Sequence, residues 1–331
     1  MNRIETISLF CGAGGMDYGF KQAGFEIIWA NDVDRDAVQT HQKYFDAEMC
    51  LGDIREVPSS QIPGANVIIG GFPCQGFSAA GPRLVTDERN FLYLEFVRIL
   101  EDKQPYAFVA ENVKGLLTLG GGSVVTAMIG DFATRGYSVK ARLFNVADFG
   151  VPQSRERVIL VGIRQDLEAE FHFPTATCGQ KNRFTLRQAL TGMDAPDHDD
   201  VCRQPFSSRY MSRNRKRGWN DISYTIPAMA KQVPLHPSSP DMVRLDKDLW
   251  RFGEGGLSRR FSWREAAVVQ SFPKEFEFHG DLVSKYRQIG NAVPPVFAKV
   301  IAESLYQLLA PHVFGVTRDR GHVFGKVSAS V

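Results

Sequence analysis

Short apolar runs rich in β-branched residues alternate with helix-spaced segments over roughly the first half of the chain. TISLF, EIIWA, NVIIG, AFVAE and VILVG read as strands, each followed by glycine or polar turn residues. Strands separated by helices predict an α/β fold with a doubly wound, mostly parallel sheet covered on both faces. Ligands of such sheets collect outside the carboxyl ends of the strands. From residue 172 to about 258 the periodicity fades, and acidic DAPDHDD gives way to a basic run among many Pro, Ser and Asn residues. That stretch predicts a second, smaller, loop-rich domain. Helical spacing resumes at SWREAAVVQSF and VPPVFAKVIAESLYQLLA, and from Phe314 onward no pattern is left, as in a frayed tail.

Composition narrows the picture. A hydrophobic share of 44% and a charged share of 23% exclude a disordered or fibrous chain. No apolar run approaches the ~20 residues that cross a bilayer, and MNRIETISLF lacks a secretory apolar region, so no membrane partner and an intracellular setting are expected. The five cysteines are an odd number without a CxxC pair, which points to reduced thiols and neither a disulfide framework nor a metal site. The net charge is only +2, so a case for nucleic acid must rest on where charge sits.

LFCGAGGMDYGF follows the first predicted strand and opens a helix, the arrangement in which backbone amides approach a cofactor. Gly12 and Gly14 fit the start of GxGxxG, but Asp17 occupies the third glycine position. Asp32 ends the second strand about 20 residues on, where a carboxylate can accept from ribose hydroxyls, and Asp53 follows a third short segment, MCLGDI. Each carboxylate alone could be a helix cap. Together they favour an adenosine-containing ligand.

In NVIIGGFPCQGFS, Cys74 follows Pro73 at the carboxyl end of a predicted strand, at the ligand crevice. A lone cysteine is more often a packed structural thiol, yet the next strand ends AENVKG and brings Glu111 and Asn112 to the same edge. A thiolate is a nucleophile and a carboxylic acid can donate a proton. VPQSRERVILVG adds Arg155 and Arg157, alternate residues that share a face if the strand begins there.

FCGAGG, GGFPCQGFS, ENVKG, QSRERV and QIGNAVPP, in this order, resemble the DNA cytosine carbon-5 methyltransferases of bacterial restriction-modification systems, over about residues 5–305. The resemblance implies a Rossmann-like catalytic domain (1–171), a target recognition domain (172–280), a segment returning to the catalytic domain (281–313) and a tail (314–331). It implies that Cys74 attacks carbon 6 of a cytosine, that Glu111 bonds nitrogen 3 and the exocyclic amine, and that Arg155 and Arg157 contact the base and its backbone. The methyl donor would be S-adenosylmethionine, leaving S-adenosylhomocysteine. Phe10, Gly12, Ala13 and Gly14 would line its methionine and ribose, Asp32 and Val33 the ribose side, Asp53 and Ile54 the adenine, and Asn291 and Ala292 would close the pocket.

A stacked, paired cytosine hides carbon 6, so the base must be extruded. The stretch QGFSAAGPRLVTDERN is expected to close over DNA, with Gln75 and Ser78 near the vacated space or target phosphate. Arg209, Arg213, Arg215, Lys216 and Arg217 form a basic segment without an acidic residue, suited to phosphates and guanine edges of double-stranded DNA. A bacterial cytoplasmic, nucleoid-associated monomer is the expected setting, either paired with a cognate restriction endonuclease or solitary. Methylation of transfer RNA, an inactive methyltransferase-like binding module and a nicotinamide dehydrogenase stay open as alternatives at this stage.

Overall fold

The computed structural model describes residues 3–72 and 91–315. Seven strands, β1 (Ile4–Leu9), β2 (Phe25–Asp32), β3 (Glu48–Leu51), β4 (Val67–Gly70), β5 (Ala107–Val113), β6 (Tyr137–Asn145) and β7 (Glu156–Arg164), form one sheet in the order β3-β2-β1-β4-β5-β7-β6. The first five pair in parallel, and β7 runs antiparallel to both of its neighbours. The predicted doubly wound α/β sheet is therefore present.

Its central strands are apolar on both faces because both faces are covered. In β4 and β5, Val67, Ile69, Ala107 and Val109 enter one apolar cluster while Ile68, Phe108 and Ala110 enter the other. The first cluster takes Met16 and Phe20 from α1 (Gly15–Gln22) and is flanked by α2 (Arg35–Gln42). The second is built from α3 (Phe91–Lys103) and α4 (Ser123–Ala133), through Phe96, Leu100, Met128 and Phe132.

The second half of the chain contains α5 (Leu186–Leu190), a hairpin of β8 (Val243–Asp246) and β9 (Leu249–Arg251), then α6 (Trp263–Val269), α7 (Leu282–Asn291) and α8 (Pro295–Phe314). The two helical patterns read from the sequence are α6, opened by a Ser262–Glu265 capping box, and α8. Helix α8 buries Phe297, Ala298, Ile301 and Leu305 in the cluster that also contains Phe20 and Phe25, so the late segment packs onto the first domain. Phe297, Ile301 and Leu305 each contribute about 1.5–3 kcal/mol of burial free energy, which holds that return in place. A separate small cluster of Tyr210, Leu235 and Met242, with Phe206, Trp250 and Phe252 against it, lies under the hairpin. The tail beyond Gly315 lies outside the described residues.

Strand register decides what meets at the ligand edge. Leu9 is level with Gly70, and Gly70 with Ala110, so the residues that follow each of them emerge side by side. Because β7 is antiparallel, its first residues rather than its last arrive there, with Arg157 opposite Val113.

Candidate active site

The turn after β1 is held from several sides. Phe10, Gly12 and Gly14 all take left-handed backbone, at φ 56°, 56° and 81°. Gly14 has a second reason to be glycine, since a Cβ there would stand 2.5 Å from the Phe45 ring. Asp32, at the end of β2, accepts the Gly12 amide at 2.7 Å and the Asp34 amide at 2.8 Å. Burial raises the Asp32 carboxyl above its ordinary value despite these bonds.

Asp17, the residue in place of the third glycine, supports the turn from beneath. Fully buried, it accepts the Ser8 hydroxyl at 2.7 Å and pairs with His41 Nε2 at 2.7 Å, and the His41 ring stacks on Phe45. Cys11, Asp17 and His41 offer potential ligand atoms within 4.8 Å of one another, with both Asp17 oxygens already hydrogen-bonded. Burial, then Asp17 and Asp32, push the Cys11 thiol well above its ordinary value, which suits a packed thiol. The sequence had marked Asp17 only as a departure from a motif, and had not singled out Ser8 or His41.

One cavity of about 630 Å³ runs from this turn to the end of β5. Asp32, Val33, Asp53 and Ile54 line its first half, where the Val33 side chain is 73% exposed and Ile54 is buried. Asn31 fixes the loop carrying Asp53 by donating to the carbonyls of Cys50 and Gly52, both at 3.0 Å. The Arg55 guanidinium donates to both Asp53 oxygens, at 3.0 and 2.9 Å, and holds that carboxyl below its usual range. Gly290, Asn291, Ala292 and Val293 close the opposite wall. That wall is latched to α2: Arg287 bonds Asp34 at 2.9 Å, and Thr40 donates to Gln288 at 2.7 Å. Hydroxyl-accepting carboxylates, a turn with free space over Gly12 and an apolar face at Val33 are a donor and surface set that fits an adenosine bearing a methionine chain.

The other half of the cavity is polar. Glu111 is 9% exposed, and Arg157 Nε lies 2.7 Å from its Oε1. Among the described residues no donor hydrogen is well aligned on that oxygen, so the contact with Arg157 is a short ion pair rather than a hydrogen bond of good geometry. Asn112 donates to the Phe72 carbonyl at 3.0 Å, fixing the exit of β4 beside Glu111. Cys74, Gln75 and Ser78, two to six positions beyond Phe72, lie outside the described residues.

Arg155 departs from expectation. It precedes β7 and turns inward, 1% exposed, with its guanidinium donating to the carbonyls of Ile226 (3.2 Å), Gly290 (2.9 Å) and Ala292 (3.0 Å). Burial, then the neighbouring Arg157, push it down to about 9. The two arginines therefore part company: Arg157 faces Glu111, while the terminal nitrogens of Arg155 are spent on backbone.

A family model for C-5 cytosine-specific DNA methylases matches residues 4–307. The chain belongs to that family. Methylation of DNA cytosine at carbon 5, dependent on S-adenosylmethionine, is accordingly its reaction, and the dehydrogenase alternative falls. The type II methyltransferase M.BspRI of Lysinibacillus sphaericus is 41% identical over 94% of this chain and 84% of that protein. M.BsuRI of Bacillus subtilis is 41% identical over 92% and 79%, and M.FnuDI of Fusobacterium nucleatum 40% over 92% and 95%. Among solved structures, the Entamoeba histolytica methyltransferase EhMeth shares the fold with a TM-score of 0.70 at 16% identity, covering 93% of this chain and 99% of its own. The Dnmt2 methyltransferase of S. pombe shares it at 0.69 and 18%, covering 94% and 99%.

In this methylase the basic segment is not one continuous stripe. Arg209, Arg213 and Arg217 are exposed, with Arg217 lying 4.3 Å over the Tyr224 ring. Arg215 corrects the expectation of a DNA contact. It is 6% exposed and donates inward to the carbonyls of Tyr210 (2.9 Å) and Arg209 (3.1 Å) and to Gln232 Oε1 (2.9 Å), stacking on Tyr210. Lys216 is half-buried and tied to Asp241, an acidic partner from outside the basic run. Among the described residues no helix is long and apolar enough to cross a membrane.

Proposed function

We propose that this chain is a sequence-specific methyltransferase of double-stranded DNA in which Cys74, Glu111 and Arg157 handle an extruded cytosine. The observation that carries the reading is the buried Glu111 carboxyl group held against Arg157, in the same cavity as the glycine turn and Asp32. Arg157 fixes one side of the carboxyl group, and a pyrimidine edge with an amine offers the hydrogen-bonding partner that a buried carboxyl group needs. Asp32 with Val33, Asp53 with Ile54, the Phe10–Gly14 turn and Asn291–Ala292 hold the cofactor. S-adenosylmethionine supplies an electrophilic methyl group and leaves as S-adenosylhomocysteine.

The Cys74 thiolate adds to carbon 6, and the electron pair displaced from the 5,6 double bond makes carbon 5 nucleophilic. Glu111, entering as the carboxylic acid, accepts from the exocyclic amine and gives its proton to nitrogen 3, which neutralises the negative charge that the addition pushes into the ring. Arg157 orients the base from the side of Glu111. After methyl transfer, loss of the carbon-5 proton restores the double bond and expels the thiolate. Gln75 and Ser78 meet the DNA near the extruded base, and exposed Arg209, Arg213 and Arg217 meet phosphates or guanine edges. The enzyme acts as a cytoplasmic monomer, without a metal, on nucleoid DNA beside a cognate endonuclease.

Labelled S-adenosylmethionine should methylate duplex DNA and not transfer RNA, and bisulfite sequencing of DNA from expressing cells would give the site. Cys74→Ser should keep cofactor and DNA binding while losing transfer. An active serine variant, or label only in RNA, would overturn the reading.

A further inference from the structure

Three separate segments meet at one buried guanidinium. Ile226 belongs to the stretch Ser223–Ala228, which docks along the loop before β7: Ser154 donates to the Ser223 carbonyl at 2.8 Å, and Ser223 to that of Pro152 at 2.9 Å. Thr225 adds a hydroxyl bond to the Ser154 carbonyl at 2.6 Å. This stretch carries Tyr224, which lies under the exposed Arg217 of the basic segment, and runs into Met229, 51% exposed. Gly290 and Ala292 form the cofactor wall. Gly290 packs so closely on the first stretch that a Cβ would stand 2.2 Å from the Ala228 nitrogen.

Gln153 doubles the connection. Its Oε1 accepts the Ile226 amide at 3.1 Å, and its Nε2 donates to the Val269 carbonyl at 3.1 Å and touches Gln270, which donates to the Ala292 carbonyl at 2.6 Å. A guanidinium is a rigid planar fork. If Ile226 and Ala292 shifted independently, a buried N–H would lose its acceptor, with the full desolvation cost left standing. The two segments are therefore constrained to move together.

We propose that Arg155 is a positioning residue that couples DNA engagement by the Ser223–Met229 stretch to the placement of the Gly290–Ala292 wall beside the cofactor. The inference rests on the duplex-DNA reading above. By linkage, the coupling works in both directions.

The test measures S-adenosylhomocysteine affinity of the full chain with and without a saturating duplex containing the mapped site. The unaltered protein should bind it at least about 5-fold tighter with DNA, and Arg155→Lys, which keeps the charge but reaches a single carbonyl, should bring that ratio below about 2-fold. Arg155→Met should abolish it. Thermal unfolding checks that the variants are folded. If they are not, Gln153→Met, which removes the neighbouring clamp on the Ile226 amide, should also lower the ratio. An unchanged ratio in the folded variants overturns the proposal, as does equal weakening with and without DNA, the signature of local damage. Absence of coupling in an unaltered protein that methylates DNA overturns it too. Failure of that protein to methylate duplex DNA instead strikes the underlying reading.

Discussion

Replacing Asp17 by alanine tests whether the residue in the third glycine position is what holds the cofactor turn. The change removes the acceptor of the Ser8 hydroxyl and the partner of His41 Nε2, both at 2.7 Å and both buried. His41 Nδ1 already has no hydrogen-bond partner, so the imidazole would be left with none. Each buried polar group stranded in this way costs about 1–3 kcal/mol, and breaking a buried pair costs about 3–5 kcal/mol. These costs overlap, giving a loss of about 4 kcal/mol. Unfolding entropy near 2.1 cal/mol/K per residue makes about 0.7 kcal/mol/K for 331 residues, so Tm should fall by about 6 °C. Asp17→Asn keeps the shape and one acceptor oxygen for Ser8, and should lose about a third as much. Calorimetry at pH 7.5, with S-adenosylhomocysteine titrated into each variant, reads both stability and the turn above it. A Tm within about 1 °C of the unaltered protein for alanine would refute the argument. Equal losses for alanine and asparagine would show that the carboxylate's charge, rather than its hydrogen-bond geometry, supports the turn.

Four further outcomes follow from other parts of the molecule. Arg213→Ala should leave Tm nearly unchanged while lowering the salt slope of DNA binding by about 1, whereas Arg215→Ala should cost about 2–3 kcal/mol of stability, because it strands buried acceptors; a thermal melt and a salt titration separate the two. Glu111→Gln should retain cofactor affinity and lower single-turnover methyl transfer by about 10²–10⁴-fold. Asp32→Asn should weaken binding of the sulfonium-bearing S-adenosylmethionine more than that of neutral S-adenosylhomocysteine, since Asp32 is a cavity carboxylate with no ion pair among the described residues; competition binding gives the ratio. Burial lowers His236 to about 4 in the folded chain, so its contribution is fully present above about pH 6.5 and is lost as pH falls toward 4, on the order of 3 kcal/mol relative to His236→Asn in paired melts.

The strands most legible in the sequence were those buried on both faces. β1, β4 and β5 are short apolar runs ended by glycine or polar residues, and their burial requires that composition. β6 escaped notice because it is an edge strand, where YSVKARLFN alternates with Lys140 and Arg142 and half the side chains stay partly exposed. Direction was not legible at all for β7: VILVG reads the same whether it runs with its neighbours or against them, and only pairing with both β5 and β6 settles it. The inward bonds of Asp17 and Arg215 were not legible for a related reason. Their partners, His41 and Gln232, lie 24 and 17 residues away, so a local pattern could show an odd carboxylate and a basic run but not where either side chain points.

The reversal of β7 explains how QSRERV serves the site. A parallel strand would carry its first residues to the far edge of the sheet; running backwards, β7 delivers Arg157 opposite Val113, two positions beyond Glu111. Arg155 lies before the paired strand, its amide on Asn145 Oδ1 and its carbonyl receiving the Val146 amide, so it no longer shares a face with Arg157. The division has an electrostatic logic. Of the arginines lining the cavity, Arg55, Arg157 and Arg287 lie against Asp53, Glu111 and Asp34, while the terminal nitrogens of Arg155 donate to carbonyl dipoles and its Nε is left without a hydrogen-bond partner among the described residues. Among the described residues Asp32 is held only by backbone amides, which leaves its negative charge uncompensated by any described side chain at the end of the cavity proposed for the cofactor. On the proposed placement, a positively charged sulfonium would meet an attraction from Asp32 that its neutral product would not, so the carboxylate that favours the methyl donor would also favour release once the methyl group has gone.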